Sequence, residues 1–97
     1  MMVQGHVAPG FERVHEAFEA SLAEELGAGF AAVRDGEVVV DLWGGWADRA
    51  QSKPWIRDTI APVYSTTKGV SALVLAVLAD RGLFDYESPL SALWPAF

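Results

Sequence analysis

Ser65 and Lys68 stand three residues apart in the run Val63-Tyr64-Ser65-Thr66-Thr67-Lys68-Gly69, at what reads as the start of a very apolar helix. A helix advances about 100° per residue, so positions i and i+3 share a face. That spacing puts a primary amine beside a hydroxyl, the arrangement that turns serine into a nucleophile. Ser-x-x-Lys alone is a weak pattern: the six serines and two lysines here give about 0.1 chance matches. Ser65 also has an ordinary reading as a helix N-cap accepting a backbone hydrogen bond.

Context favours the chemical reading. A lysine in the first turn of an apolar helix is opposed by the helix dipole, by about 0.3–1 kcal/mol at exposed sites. Burial opposes it further, and both effects favour the neutral amine that a general base must be. Lys68 is therefore expected to be buried, with a lowered pKa. The same helix start offers the backbone N–H of Ser65 as one donor towards an oxyanion.

The elements that must position these residues follow from periodicity. Pro9-Gly10 opens a first helix, expected over 11–26, with Phe11, Val14, Phe18, Leu22 and Leu26 in one stripe and Gly27 as its stop. Glu12, Glu16, Glu19, Glu24 and Glu25 fall largely off that stripe, as a solvated face does. A hairpin over 29–43 turns at Asp35-Gly36, a dipeptide suited to positive φ at both positions. Its return strand places Val38, Val40 and Leu42 on one face and Val39, Asp41 and Trp43 on the other. Two strands alone are marginal, so the first helix and further strands must cover them. A polar connection follows through Arg57-Asp58-Thr59. The nucleophile helix is expected over 65–81, ending at Gly82. It is apolar almost all round from Val70 to Ala79, which predicts a buried helix.

Composition narrows the function classes. Ninety-seven residues make one small domain, and 52% hydrophobic content with four Trp and five Phe demands a core. So apolar a chain leaves surface exposed unless something covers it, and self-association is the expected outcome. Seven basic and thirteen acidic residues give a net charge of −6 with no basic patch, which excludes nucleic acid as a partner. Cysteine is absent, and with it disulfides and thiolate chemistry. The N-terminus MMVQGHVAPG lacks the features of a signal peptide. The apolar run from Val70 to Ala79 falls short of the roughly 20 residues of a membrane span. The expectation is a cytoplasmic chain with no membrane partner.

Tyr64-Ser65-Thr66-Thr67-Lys68-Gly69, the apolar helix and Asp80-Arg81-Gly82-Leu83-Phe84-Asp85 together resemble the N-terminal region of the serine β-lactamase-related hydrolases. The nearest likeness is to the class C β-lactamase-like carboxylesterases. Trp43-Gly44-Gly45-Trp46-Ala47-Asp48 and Leu93-Trp94-Pro95-Ala96-Phe97 are similar to the same family. The resemblance implies an α/β (α+β) fold of the β-lactamase/transpeptidase type, with an antiparallel sheet flanked by helices and joined to a helical region. The 97 residues would form the N-terminal part of one such domain. It implies that Ser65 is acylated and that Lys68 helps take its proton. The implied substrate is a small-molecule ester, with a β-lactam or a D-alanyl peptide as the alternative, and the reaction needs no cofactor or metal.

Two family elements have no counterpart in this chain. The family's later Tyr-x-Asn or Tyr-x-Ser motif is matched only in letters by Tyr86-Glu87-Ser88, and Thr67-Lys68-Gly69 is not its Lys-Thr-Gly motif. There is no Gly-x-Ser-x-Gly elbow and no phosphate-binding loop, and His15-Glu16 lacks the second histidine of a zinc helix. His6, in an exposed-looking tail, and His15 read as structural. Trp43, Trp46, Trp55 and Trp94 read as core, although Trp43 or Trp46 could line an acyl pocket; Tyr64 and Trp43 are the candidates for substrate binding. A reading of a different class makes the chain a catalytically inactive fragment that associates through its apolar surface.

Overall fold

Asp35 and Gly36 both take positive φ, 51° and 80°, and the two-residue turn they form sets the register of the first half of the chain. Both values suit a type I′ turn, whose twist matches that of the strands it joins. The turn links β2 (Gly27–Arg34) to β3 (Glu37–Gly45), closing on the pair Arg34 and Glu37. The computed structural model describes residues 2–97. They form two compact units, one ending at Ile60 and one comprising Ala61–Phe97.

In the first unit, β3 is the centre of a three-stranded antiparallel sheet of order β1-β3-β2, where β1 is Val3–Val7. The sequence signalled a need for more strands but not this one. Val-Gln-Gly-His-Val shows no apolar alternation, and Gly5 interrupts it. His6, expected in a tail, lies in β1 opposite Asp41 and is exposed.

Alternation along β3 also departs from expectation. A bulge between Ala32 and Val33 pairs Ala32 with Val40 but Val33 with Val38, so Val39 has no partner on β2. An extra residue shifts the parity of the strand. Val39 and Val40 are therefore both buried, while Val38 is 51% exposed. The carbonyl of Val39 accepts the N–H of Ala8 at 2.8 Å.

One helix, α1 (Glu12–Ser21), covers the sheet. Phe18 and Leu22 meet Val39, Val40 and Leu42 to form the buried core, with Val3, Val7, Phe11 and Val14 packed around it. Glu12 accepts the N–H of Gly10 through both carboxylate oxygens at 3.0 Å. Backbone N–H donors at this helix start, its own and that of Gly10, hold the Glu12 carboxyl below its usual range. The helix was expected to reach Leu26 but ends at Ser21. Gly27 pairs with Gly45, and the carbonyl of Leu26 accepts the N–H of Trp46 at 2.8 Å, so Leu26 is drawn to the sheet. Leu22 keeps its place in the core because Gly44 lies beneath it. A Cβ at Gly44 would stand 2.9 Å from Leu22 Cδ1 and 3.1 Å from the carbonyl oxygen of Met2.

The connection after β3 is better ordered than its polarity suggested. Trp46 bridges to Pro54, and Trp55 donates its N–H to the carbonyl of Gly45 at 2.9 Å. Asp48 organises the loop between them by accepting the N–H groups of Ser52 and Lys53, each at 2.9 Å, and the Ser52 hydroxyl. The Ser52 hydroxyl and the Lys53 amide hold the Asp48 carboxyl below its usual range. Arg57 Nε pairs with Asp41 at 3.1 Å.

The second unit begins with a 3₁₀ turn (Tyr64–Thr66) that leads into α2 (Thr67–Asp80), and a short α3 (Leu90–Leu93) follows. Helix α2 ends close to the expected Arg81, with Gly82 N–H on the carbonyl of Ala79 and Leu83 N–H on that of Leu78. The expected burial is absent. No residue of α2 is buried, and Leu73 is 65% exposed. An all-apolar helix needs a packed layer on each side, and this unit supplies only short turns and α3. No helix among the described residues is long and apolar enough to cross a membrane.

Two outcomes follow from this packing. Leu22→Ala should cost about 2–5 kcal/mol, as a large-to-small change in a core does. Leu26→Ala should stay within about 0.5 kcal/mol, and urea unfolding followed by tryptophan fluorescence separates the two. Equal losses would mean that the helical stripe continues to Leu26. The Asp48 loop should be pH-sensitive. A carboxylate held low stabilises the fold above the ordinary aspartate value of about 3.9 and ceases to as pH falls through its folded value. Protection of the Ser52 and Lys53 amides against hydrogen exchange, corrected for intrinsic rates, should therefore fall in acid. In Asp48→Ala it should be low at every pH.

Candidate active site

At the start of α2 the backbone has no side-chain cap. Neither Val63, which precedes the 3₁₀ turn, nor Thr66, which precedes α2, makes a side-chain hydrogen bond to the helix end. The hydroxyl of Ser65 is used differently: Lys68 Nζ donates to Ser65 Oγ at 3.0 Å. The N-cap reading of Ser65 is thereby replaced by the pairing that the spacing suggested.

The setting of this pair differs from the expectation in one respect. Ser65 and Lys68 are both exposed, so burial does not act on the lysine. What remains from the sequence argument is the helix terminus, where backbone N–H groups lack intrahelical acceptors and present positive dipole ends. Ser65 stands in that first turn. Its N–H is available to an oxyanion, and its Oγ to an acyl carbon. For the amine to accept the Oγ proton, the nitrogen that now donates must be in its neutral form.

Tyr64 supplies the feature that sequence reasoning missed. Its φ is +47°, and a bulky residue with positive φ is an outlier that carries strain of about 1–3 kcal/mol. The residue is 83% exposed. Nothing in the residue type announces a left-handed conformation, since glycine and asparagine are the usual occupants. Trp43 belongs to the other unit. Its indole Nε1 donates to Gln4 Oε1 at 2.9 Å, which ties β3 to β1 and gives the ring a structural task. The sequence contained no signal for Gln4 as that partner, because β1 itself was not legible. Tyr86 packs edge-on against Phe84, with ring centroids 5.1 Å apart. Among the described residues, no group of three or more His, Cys, Asp or Glu is arranged to hold a metal ion.

Known proteins share this arrangement of chain. Residues 14–97 match the beta-lactamase family. A protein of Mycobacterium tuberculosis (strain ATCC 25618 / H37Rv) named esterase/beta-lactamase LipL is 48% identical over 97 residues, 98% of this chain and 23% of that protein. Esterase EstB of Burkholderia gladioli is 31% identical over 87 residues, covering 88% of this chain and 22% of its own length. Among solved structures, a family VIII carboxylesterase superposes with a TM-score of 0.92 at 48% identity, over 98% of this chain and 26% of that one. A penicillin-binding protein homologue from Caulobacter crescentus gives 0.89 at 43% identity, over 98% and 26%. The chain thus spans about a quarter of the length of the relatives it matches. With the match covering most of its residues, and with the same sheet and helices in its solved relatives, the chain belongs to the beta-lactamase family and has that family's fold.

Proposed function

We propose that this chain carries the nucleophile and base of a serine hydrolase that cleaves carboxylic esters through an acyl-serine intermediate. The observation that carries the reading is the 3.0 Å hydrogen bond between Lys68 Nζ and Ser65 Oγ at an uncapped helix start. In this reading the neutral Lys68 amine takes the Oγ proton while Oγ attacks the carbonyl carbon of the ester. The carbonyl oxygen gains the negative charge, and the Ser65 N–H donates to it. Collapse of the tetrahedral intermediate expels the alkoxide, which takes the proton from the lysine and leaves as the alcohol. Water then attacks the acyl-serine by the same route, releasing the acid and restoring Ser65. Each of these steps proceeds with side-chain and backbone groups.

The matched relatives named as esterases support an ester as the substrate. A β-lactam is the second reading, favoured by the relative whose name joins esterase to beta-lactamase. The penicillin-binding protein homologue extends it to D-alanyl peptides. Trp43 is left out of the proposed binding wall, because its indole N–H is already engaged by Gln4.

A reading from another class rests on the exposed apolar surface of α2, which favours association. The two readings are compatible in the 97-residue chain: a site with a single oxyanion donor loses about 10²–10³ in rate per missing donor. The purified chain should elute from a sizing column as oligomers. It should hydrolyse a p-nitrophenyl ester at close to the buffer rate. A monomer with Ser65-dependent turnover far above buffer would overturn the association reading.

The nucleophile is tested by stoichiometric labelling. In any complete form of the enzyme a fluorophosphonate should modify Ser65, as located by peptide mass spectrometry, and Ser65→Ala should abolish that label. Lys68→Arg keeps the charge but has no accessible neutral form. It should slow labelling by at least about 10², the scale of lost general-base catalysis, with the helical circular dichroism unchanged. Labelling at the native rate in Lys68→Arg would show that charge rather than basicity acts on Ser65.

A further inference from the structure

From the left-handed backbone at Tyr64 we infer that this residue positions the nucleophile, and that it acts through its main chain rather than its ring. The inference rests on the reading of Ser65 as the nucleophile.

Tyr64 is the residue immediately before Ser65 and the first of the 3₁₀ turn, with φ +47°. Such a conformation persists only where something requires it. The side chain does not: Tyr64 is 83% exposed. What the conformation does accomplish lies in the backbone. Val63 before it is at φ −103°, ψ 3°, and Thr66 after it is at φ −60°, ψ −24°, already helical. The reversal at Tyr64 opens the 3₁₀ turn, whose first bond runs from the Thr66 N–H to the Val63 carbonyl; the Ser65 N–H is left outside it, and the hydroxyl falls over Lys68. A negative φ at position 64 would let the incoming chain continue the winding backwards. Ser65 would then lie inside a helix, its N–H would bond to a carbonyl one turn earlier, and its Oγ would lose its place at the terminus. A single residue thus fixes two things that the nucleophile needs, a free N–H and a hydroxyl aligned with the amine.

This assignment replaces the substrate-binding role expected for Tyr64, and the two roles predict opposite outcomes. Glycine removes the whole ring yet adopts positive φ freely. Valine is β-branched and tolerates it worst. Phenylalanine removes only the hydroxyl.

The experiment measures the second-order rate of fluorophosphonate labelling at Ser65 in a complete form of the enzyme, with far-UV circular dichroism as the control for folding. Tyr64→Phe should label at the native rate. Tyr64→Gly should label within about threefold of it, because the required φ remains accessible, and with an unaltered pH profile. Tyr64→Val should be slower by at least about tenfold, the scale set by forcing a β-branched residue into this region. If Tyr64→Gly, the variant that backbone sterics leave able to fold, loses labelling, then the ring acts and the inference is overturned. It is overturned equally if Tyr64→Val labels at the native rate. Absence of label at Ser65 in the unsubstituted complete enzyme would instead remove the hydrolase reading, and this inference with it.

Discussion

A helix start leaves backbone N–H groups without acceptors, and a serine hydroxyl placed there ordinarily satisfies one of them. In this chain the hydroxyl of Ser65 is withheld from that task and accepts from Lys68 instead. Every chemical property proposed for the site descends from this substitution of one hydrogen bond for another. The N–H groups stay free for an anion, the hydroxyl oxygen acquires a neighbour able to take its proton, and both point from one end of one helix. A capping serine would make α2 more stable and chemically inert.

The first unit obeys a different constraint, which is coverage of a central strand. β3 is bonded along both edges, by β1 and β2. One face of it is sealed by α1 through Phe18 and Leu22. The close approach of Leu22 to Gly44 shows how tight that seal is. Trp43 on the other face is held by Gln4, and Asp41 by Arg57. The residues of the sheet are thus occupied with one another. The Ser65–Lys68 pair lies in the other unit, whose helix α2 has no buried residue.

How much of this was legible in the sequence depended on whether a feature is local. The Asp35-Gly36 turn, α1 with Phe18 and Leu22, α2 and the Ser65–Lys68 spacing were all readable, because each is set by residues within one or two turns. The strand β1 was not, since Val3 and Val7 frame a glycine and show no alternation; pairing with β3, over thirty residues away, is what makes it a strand. The parity change at Val39 was hidden for the same reason, because a bulge is a property of two strands together. Exposure of α2 contradicted a sound local inference. Apolarity shows that a helix needs cover, but not whether residues within the chain provide it. The left-handed φ of Tyr64 had no signal at all, as its residue type argues against it.

The stretch Tyr64–Lys68 breaks three stability rules within five residues. Tyr64 holds a positive φ, at a cost of about 1–3 kcal/mol. The helix lacks a side-chain cap, worth about 0.5–2 kcal/mol where one is present. Lys68 places a cation in the first turn, against a dipole worth about 0.3–1 kcal/mol at exposed sites. In the first unit such departures stand apart: α1 likewise has no side-chain cap and Gln51 has φ +55°, but they lie far from each other, α1 carries Glu12 in its first turn, and the core is apolar. A chain of marginal stability tolerates such a concentration of unfavourable choices only where they serve something else. Here each departure contributes to the same end. The strained residue ends the incoming chain, the missing cap frees the hydroxyl, and the misplaced cation is the group that the hydroxyl meets. Their convergence on one oxygen atom is the physical reason for reading Ser65 as a nucleophile rather than as a helix terminus that happens to contain a serine.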